Sequence, residues 1–375
     1  MRHAADTLLY VSETTTPLRE KRERDRYVDF LRAASLVVVV IWHWVFTILE
    51  VSDTTVSPTN PIGFTRGMWA ITWVLQVMPV FFFVGGYGHR LTFDHYQKGD
   101  SRRFLKRRTT KLLIPAAVIV ALWVAIGFTL RATVGGDWIW PAVILVLSPL
   151  WFLIVYLVLV LLAPLAIRAH WRWGELVIVW LLGLAAVFDV LRFSHQQGWA
   201  AWLNFIVIWG LAHQMGFFYD KLIAAPRRTA WMFFWAGLFA MIALTNMGFY
   251  PRSVVGVPGE RFSNMGPPTL AIVALIFLQI GIVLLIRTWT LSQLQTNRRF
   301  QRAAAWVNEN AMGLYLLHAT GMAIAIAVVF LVFNYRPPPA PTAEWWLTRP
   351  LWFVLPLIGT YPLLVLFRKV TNRSS

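Results

Sequence analysis

The chain alternates long apolar runs with short polar connections. Ten runs stand out, at about 28–49, 68–87, 112–130, 142–166, 175–191, 200–218, 230–249, 268–287, 311–333 and 350–367. Runs of about 20 apolar residues cross the hydrocarbon core of a bilayer as helices. The pattern therefore predicts an all-α fold: a polytopic integral membrane bundle of about ten transmembrane helices. It divides the chain into an N-terminal arm (1–26), one membrane domain (27–368) and a short tail (369–375). The longest connections on one side, 50–67, 250–267 and 334–349, are rich in Pro and Gly, and the last contains the stiff stretch RPPPAP. No internal repeat and no obviously broken helix is visible, which counts against the inverted-repeat transporter architecture.

Composition agrees with the pattern. Hydrophobic residues make up 58% and charged residues 14%, against roughly 25% charged in soluble domains; mean hydropathy is +0.59. A net charge of +17 would suggest nucleic acid in a soluble protein, but its distribution excludes that partner. When connections are assigned alternately to two sides, the side holding both termini carries 27 of the 34 Lys and Arg, and the other carries seven. The positive-inside rule then makes both termini cytoplasmic, in a multi-pass protein of a cell membrane, as in a bacterial inner membrane. There is no cysteine, so disulfides, thiolate nucleophiles and Cys-ligated metals are excluded. No cleavable signal peptide is expected, because the first apolar run is too long and too late. Trp138, Trp140, Trp151, Trp199, Trp202, Trp345 and Trp346 read as interfacial anchors.

The first apolar run, YVDFLRAASLVVVVIWHWVFTILE at 27–50, contains Arg32 and His43 eleven positions apart. At about 100° per residue they point almost the same way, roughly 16 Å apart along the axis. Asp29, three residues before Arg32, can pair with it, and Glu50 continues the line beyond His43. Ionisable residues inside a span are costly and mark functional sites by default, facing a bundle interior or a water-filled cavity. The plain alternative is an interfacial Asp–Arg pair and a hydrogen-bonded core histidine. A second group is the basic ridge of Arg102, Arg103, Lys106, Arg107, Arg108 and Lys111. It reads either as positive-inside charge against anionic lipid headgroups or as a polyphosphate site. A third is NENAMGLYLLH at 308–318, where Tyr315 and His318 share a helical face. VMPVFFFVGGYGHR at 77–90 has Gly85 and Gly86 for close helix approach. Asp189, His195, His213, Gln214, Asn246 and Gln279 are polar residues in or near spans to which the sequence gives no role.

Together these residues resemble the acyltransferase family 3 membrane proteins. The family's first span carries arginine, ten residues, histidine, which falls here on Arg32 and His43, with Asp29 before it. FFFVGGYGH at 81–89 resembles an actinobacterial variant of the family's second-span ending. RTTK at 108–111 resembles its arginine pair with Lys111 in second place. LWFLIVYL at 150–157 and GLYLLH at 313–318 resemble its later motifs, so the likeness runs from about 24 to 367. It implies a membrane O-acyltransferase that moves an acetyl or other short acyl group from cytoplasmic acyl-CoA to a hydroxyl of a cell-envelope glycan, glycolipid or metabolite. Acyl-CoA is then a substrate; no tightly bound cofactor and no metal is implied. Arg103, Arg107, Arg108 and Lys111 would hold its phosphates, and the thioester arm would pass Arg32, whose distance from His43 is about an extended pantetheine. His43 would be general base, with Tyr315 or His318 donating to the oxyanion; a covalent acyl-histidine is the other route. The competing readings are a proton-coupled secondary transporter with His43 and His318 as relay groups, and a non-catalytic lipid- or glycan-binding membrane protein.

Overall fold

The computed structural model describes residues 25–51, 54–95, 100–247, 249–257, 260–334 and 342–373. Residues 1–24 of the arm, the whole RPPPAP stretch at 336–341 and the last two residues of the tail lie outside the described residues. The elements are α1 (Arg26–Val45), a hairpin of β1 (Ile48–Val51) and β2 (Val56–Thr59), α2 (Trp69–Leu75), α3 (Met78–His95) and α4 (Ser101–Thr133). Then follow α5 (Ile139–Leu147), α6 (Leu150–Trp173), α7 (Leu176–Phe193), α8 (Gly198–Gly216), α9 (Tyr219–Ala224), α10 (Arg227–Asn246), α11 (Leu270–Thr296), α12 (Arg298–Glu309), α13 (Ala311–Leu331) and α14 (Ala343–Arg373). The protein is an all-α, multi-pass membrane bundle. Nine helical stretches of the described residues are long and apolar enough to span a membrane. The tenth expected span is α8, 19 residues long, whose buried Asn204, His213 and Gln214 lower its hydropathy.

Asp25 starts α1: its carboxylate accepts from the Tyr27 and Val28 amides at 2.8 and 3.2 Å, and from the Tyr219 hydroxyl at 2.9 Å. The Tyr27 hydroxyl donates to the Val283 carbonyl of α11. α1 stops at Val45, and the chain turns into the antiparallel hairpin, with Ile48 opposite Thr59 and Glu50 opposite Ser57. Glu50 is therefore an exposed strand residue and not a member of the Asp29–Arg32–His43 stripe. The β-branched residues Ile48, Val51, Val56 and Thr59 suit a strand better than another helical turn.

Two apolar runs are interrupted. α2 and α3 part at Gln76–Val77, where the Gln279 side chain on α11 donates to the carbonyls of Trp73, Val74 and Gln76 at 3.1, 3.4 and 2.8 Å. α5 and α6 part at Ser148–Pro149, where proline lacks the N–H to continue the ladder. Irregular backbone at membrane depth persists only where protein groups satisfy it. Asp189 is also structural: its carboxylate accepts from Asn204, Tyr250 and the Leu270 amide at 2.9, 2.9 and 2.7 Å, joining α7, α8, the 247–269 connection and the start of α11.

Candidate active site

His43 lies in the last turn of α1, and His318 lies on α13, fully buried. The two rings meet, His318 Nε2 to His43 Nδ1, at 3.1 Å, with centroids 5.0 Å apart. His318 Nδ1 faces the Tyr315 carbonyl at 2.7 Å. A carbonyl only accepts, so neutral His318 carries its proton on Nδ1 and presents a lone pair at Nε2. His43 then donates from Nδ1, which makes Nε2 its lone-pair nitrogen. The Trp44 indole donates to the His318 carbonyl at 2.9 Å, and the Tyr315 hydroxyl donates to the Pro149 carbonyl at 2.7 Å. The pair thus sits where α1, α13 and the α5–α6 break converge. Around it pack Leu36, Val40, Trp44, Leu153, Leu314 and Leu317.

One helix length away, Arg32 lies 3.5 Å from Asp29 and 3.5 Å from Asn308 Oδ1. Eleven residues of α1 and ten from Asn308 to His318 run side by side. Arg32 also reaches to 4.0 Å from where a side chain on Gly88 would begin. Arg108 approaches the same residue from α4: its Nη2 donates to the Gly88 carbonyl at 3.4 Å and to the Thr92 hydroxyl. Two guanidinium groups therefore converge on one turn of α3. The expected ridge divides: Arg108 turns inward, while Arg103, Arg107 and Lys111 are exposed.

Behind the convergence lies a buried chain that the sequence does not reveal. The Tyr156 hydroxyl meets His89 Nε2 at 3.1 Å, and His89 Nδ1 meets His213 Nε2 at 2.8 Å. Both histidines are almost fully buried, and His89 and Tyr156 are within electrostatic reach of Arg32 and Arg108. Interhelical contact at glycine makes the meeting possible. A Cβ on Gly86 would lie 1.9 Å from the His213 carbonyl, and one on Gly216 would lie 2.0 Å from the Phe83 carbonyl. The glycines of the second-span motif are visible in sequence; the partner of His89, 124 positions away, is not.

The sequence-derived residues thus form two groups along α1: His43, His318 and Tyr315 near one end, and Asp29, Arg32 and Arg108 near the other. A cavity of about 710 Å³ lies apart from both, lined by Arg90, His170, Trp173, Glu175, Phe218 and Lys221 among others. Among the described residues no three His, Asp or Glu side chains group as a metal site.

A family model described as an acyltransferase domain matches residues 25–334. It spans both groups and most of the chain, so the chain belongs to acyltransferase family 3 and is a membrane acyltransferase. No curated protein and no solved structure matches it.

Proposed function

We propose that this family 3 acyltransferase is an O-acyltransferase of a bacterial inner membrane, carrying a short acyl group from cytoplasmic acyl-CoA to a hydroxyl of an envelope glycan, glycolipid or metabolite. The observation that carries the reading is the tautomer chain from the Tyr315 carbonyl through His318 to His43. It leaves His43 Nε2 as a base and gives it an orienting acceptor, the arrangement that supports general-base catalysis.

The donor enters at the basic end. Arg103, Arg107 and Lys111 attract its phosphates from outside, and Arg32 with Arg108 grips them by charge-assisted hydrogen bonds. Asp29 holds Arg32 on the entrance side. The thioester arm then runs along α1 for about 16 Å to His43. Because His43 is in the last turn of α1, the acceptor hydroxyl arrives from the opposite, outer side. His43 Nε2 removes the hydroxyl proton as the oxygen bonds to the thioester carbonyl carbon. The tetrahedral oxyanion collapses, the C–S bond breaks, and the CoA thiolate recovers the proton from His43.

His318 accepts from His43 Nδ1 and so stabilises the transient imidazolium. Its own Nε2 has no proton to offer an oxyanion, and the Tyr315 hydroxyl is engaged by Pro149. Both are therefore positioning groups and not oxyanion donors.

The test is transfer of labelled acetyl from acetyl-CoA to a total envelope extract by the purified protein in nanodiscs, with mass spectrometry of the product. His43→Ala is expected to abolish transfer. Undiminished transfer by that variant would remove His43 as the base, and an acetyl adduct on His43 without acceptor would replace direct transfer by an acyl-histidine route.

A further inference from the structure

The C-terminal helix α14 lies beyond the residues matched to the family, yet it touches both helices of the His43–His318 pair, α1 and α13. Against α1 it sets Arg349, whose Nη1 donates to the Val45 carbonyl at 3.3 Å. Val45 is the last residue of α1, two positions after His43. The last carbonyls of a helix have no partner within it, so Arg349 caps the end that carries the base. The guanidinium is itself held: Nε donates to the Trp345 carbonyl at 3.1 Å, Nη2 to the Thr348 hydroxyl at 2.9 Å, and its centre stacks 3.8 Å over the Trp345 ring. Arg349 is only 6% exposed and Trp345 1%. Trp345 is thus a buried platform and not the interfacial anchor expected from sequence.

Against α13, α14 packs one turn beyond His318. A Cβ on Gly321 would lie 1.8 Å from Thr360 Oγ1 and 2.9 Å from the Pro356 carbonyl. The Thr360 hydroxyl is fixed by its bond to Pro356 at 2.7 Å, so this contact has no slack. Phe353 of α14 meets Trp44 edge-on at 6.2 Å, and Trp44 is bonded to the His318 carbonyl. One helix therefore fixes the end of α1 and the middle of α13 at the level where their histidines meet.

We infer that α14 completes the active site as a brace, and that Arg349 is a positioning residue for His43. The inference rests on the reading of His43 as base. Arg349 does not touch the reacting atoms; it sets the final turn of α1, and with it the His43–His318 hydrogen bond. An arginine buried at membrane depth is costly, and a cap two residues from the base accounts for its position. A guanidinium supplies three directed bonds and a stacking face here, which an ammonium cannot reproduce together.

The full chain in nanodiscs is compared as wild type, Arg349→Lys, Arg349→Met and His43→Ala. Acetyl-CoA with envelope extract gives kcat and donor KM, and ¹⁵N-histidine spectra report the rings without turnover. Arg349→Met is expected to lower kcat tenfold or more, with donor KM within twofold. Arg349→Lys, which keeps one donor, recovers part of the loss. In the spectra the His43 and His318 ring signals shift, while those of His89 and His213 stay. If Arg349→Met does not fold, Arg349→Lys carries the test: kcat three- to tenfold below wild type with the same spectral pattern is expected. Wild-type kcat and unchanged His43 and His318 signals in a folded Arg349 variant overturn the inference. Transfer surviving His43→Ala defeats the base assignment alone, and the spectra still judge the brace.

Discussion

At His318 one hydrogen bond decides which nitrogen of His43 is basic. The Tyr315 carbonyl fixes the His318 proton on Nδ1, and His318 fixes the His43 proton on Nδ1. His318→Phe keeps a ring of similar size and removes the acceptor. It is expected to cost about 100-fold or more in kcat, within the range of a general base and its orienter, with donor KM little changed; steady-state kinetics on acetyl-CoA checks the split. An equal fall in donor affinity would instead place His318 in substrate binding. Arg32→Gln makes the opposite division, because it removes one of the two guanidinium groups at the donor end of α1 and leaves the His43–His318 pair, eleven positions along the helix, in place. Donor KM rises at least tenfold and kcat stays within about threefold. Arg32, His43, Tyr315 and His318 were legible in sequence because each is a polar residue inside or beside an apolar run. Their hydrogen-bond directions were not, since these depend on a backbone carbonyl that no residue identity announces. Arg349 was legible only as one of seven arginines on its side.

Among the elements, the helices were legible and their interruptions were not. Hydropathy runs smoothly through 68–87 and through 142–166, so each read as one span. The breaks at Gln76–Val77 and Ser148–Pro149 survive because distant side chains, Gln279 and Tyr315, meet the exposed carbonyls. Gln279→Leu has nearly the same volume and leaves the carbonyls of Trp73, Val74 and Gln76 without that donor. Unpaired buried groups cost about 1–3 kcal/mol, so thermal unfolding in detergent should shift down by several degrees. Gln295→Leu, on the exposed end of the same helix, should leave it unmoved. The end of α1 has a related cause: Glu50 falls in line with the helical period of Asp29, Arg32 and His43, but the β-branched residues after Val45 favour the hairpin.

At the scale of the whole molecule, the proposed reaction needs the two polar groups of α1 to lie on opposite sides of the membrane. The structure separates them along α1, while orientation rests on charge: 27 of 34 Lys and Arg fall on the side of the termini. The chain has no cysteine, so a single introduced thiol reports its own side without background. Ser57 in β2 lies beyond the His43 end of α1 and is exposed, as is Gln295 in the last turn of α11, which is followed by α12 with Asn308, the partner of Arg32. In intact cells Ser57→Cys is expected to react with a membrane-impermeant maleimide, and Gln295→Cys only after permeabilisation. The reverse pattern would put His43 toward the cytoplasm and the Arg32–Arg108 pair outside. Acyl-CoA would then lie on the wrong side for its phosphate site, and the proposed direction of transfer would fail even if His43 proved to be the base.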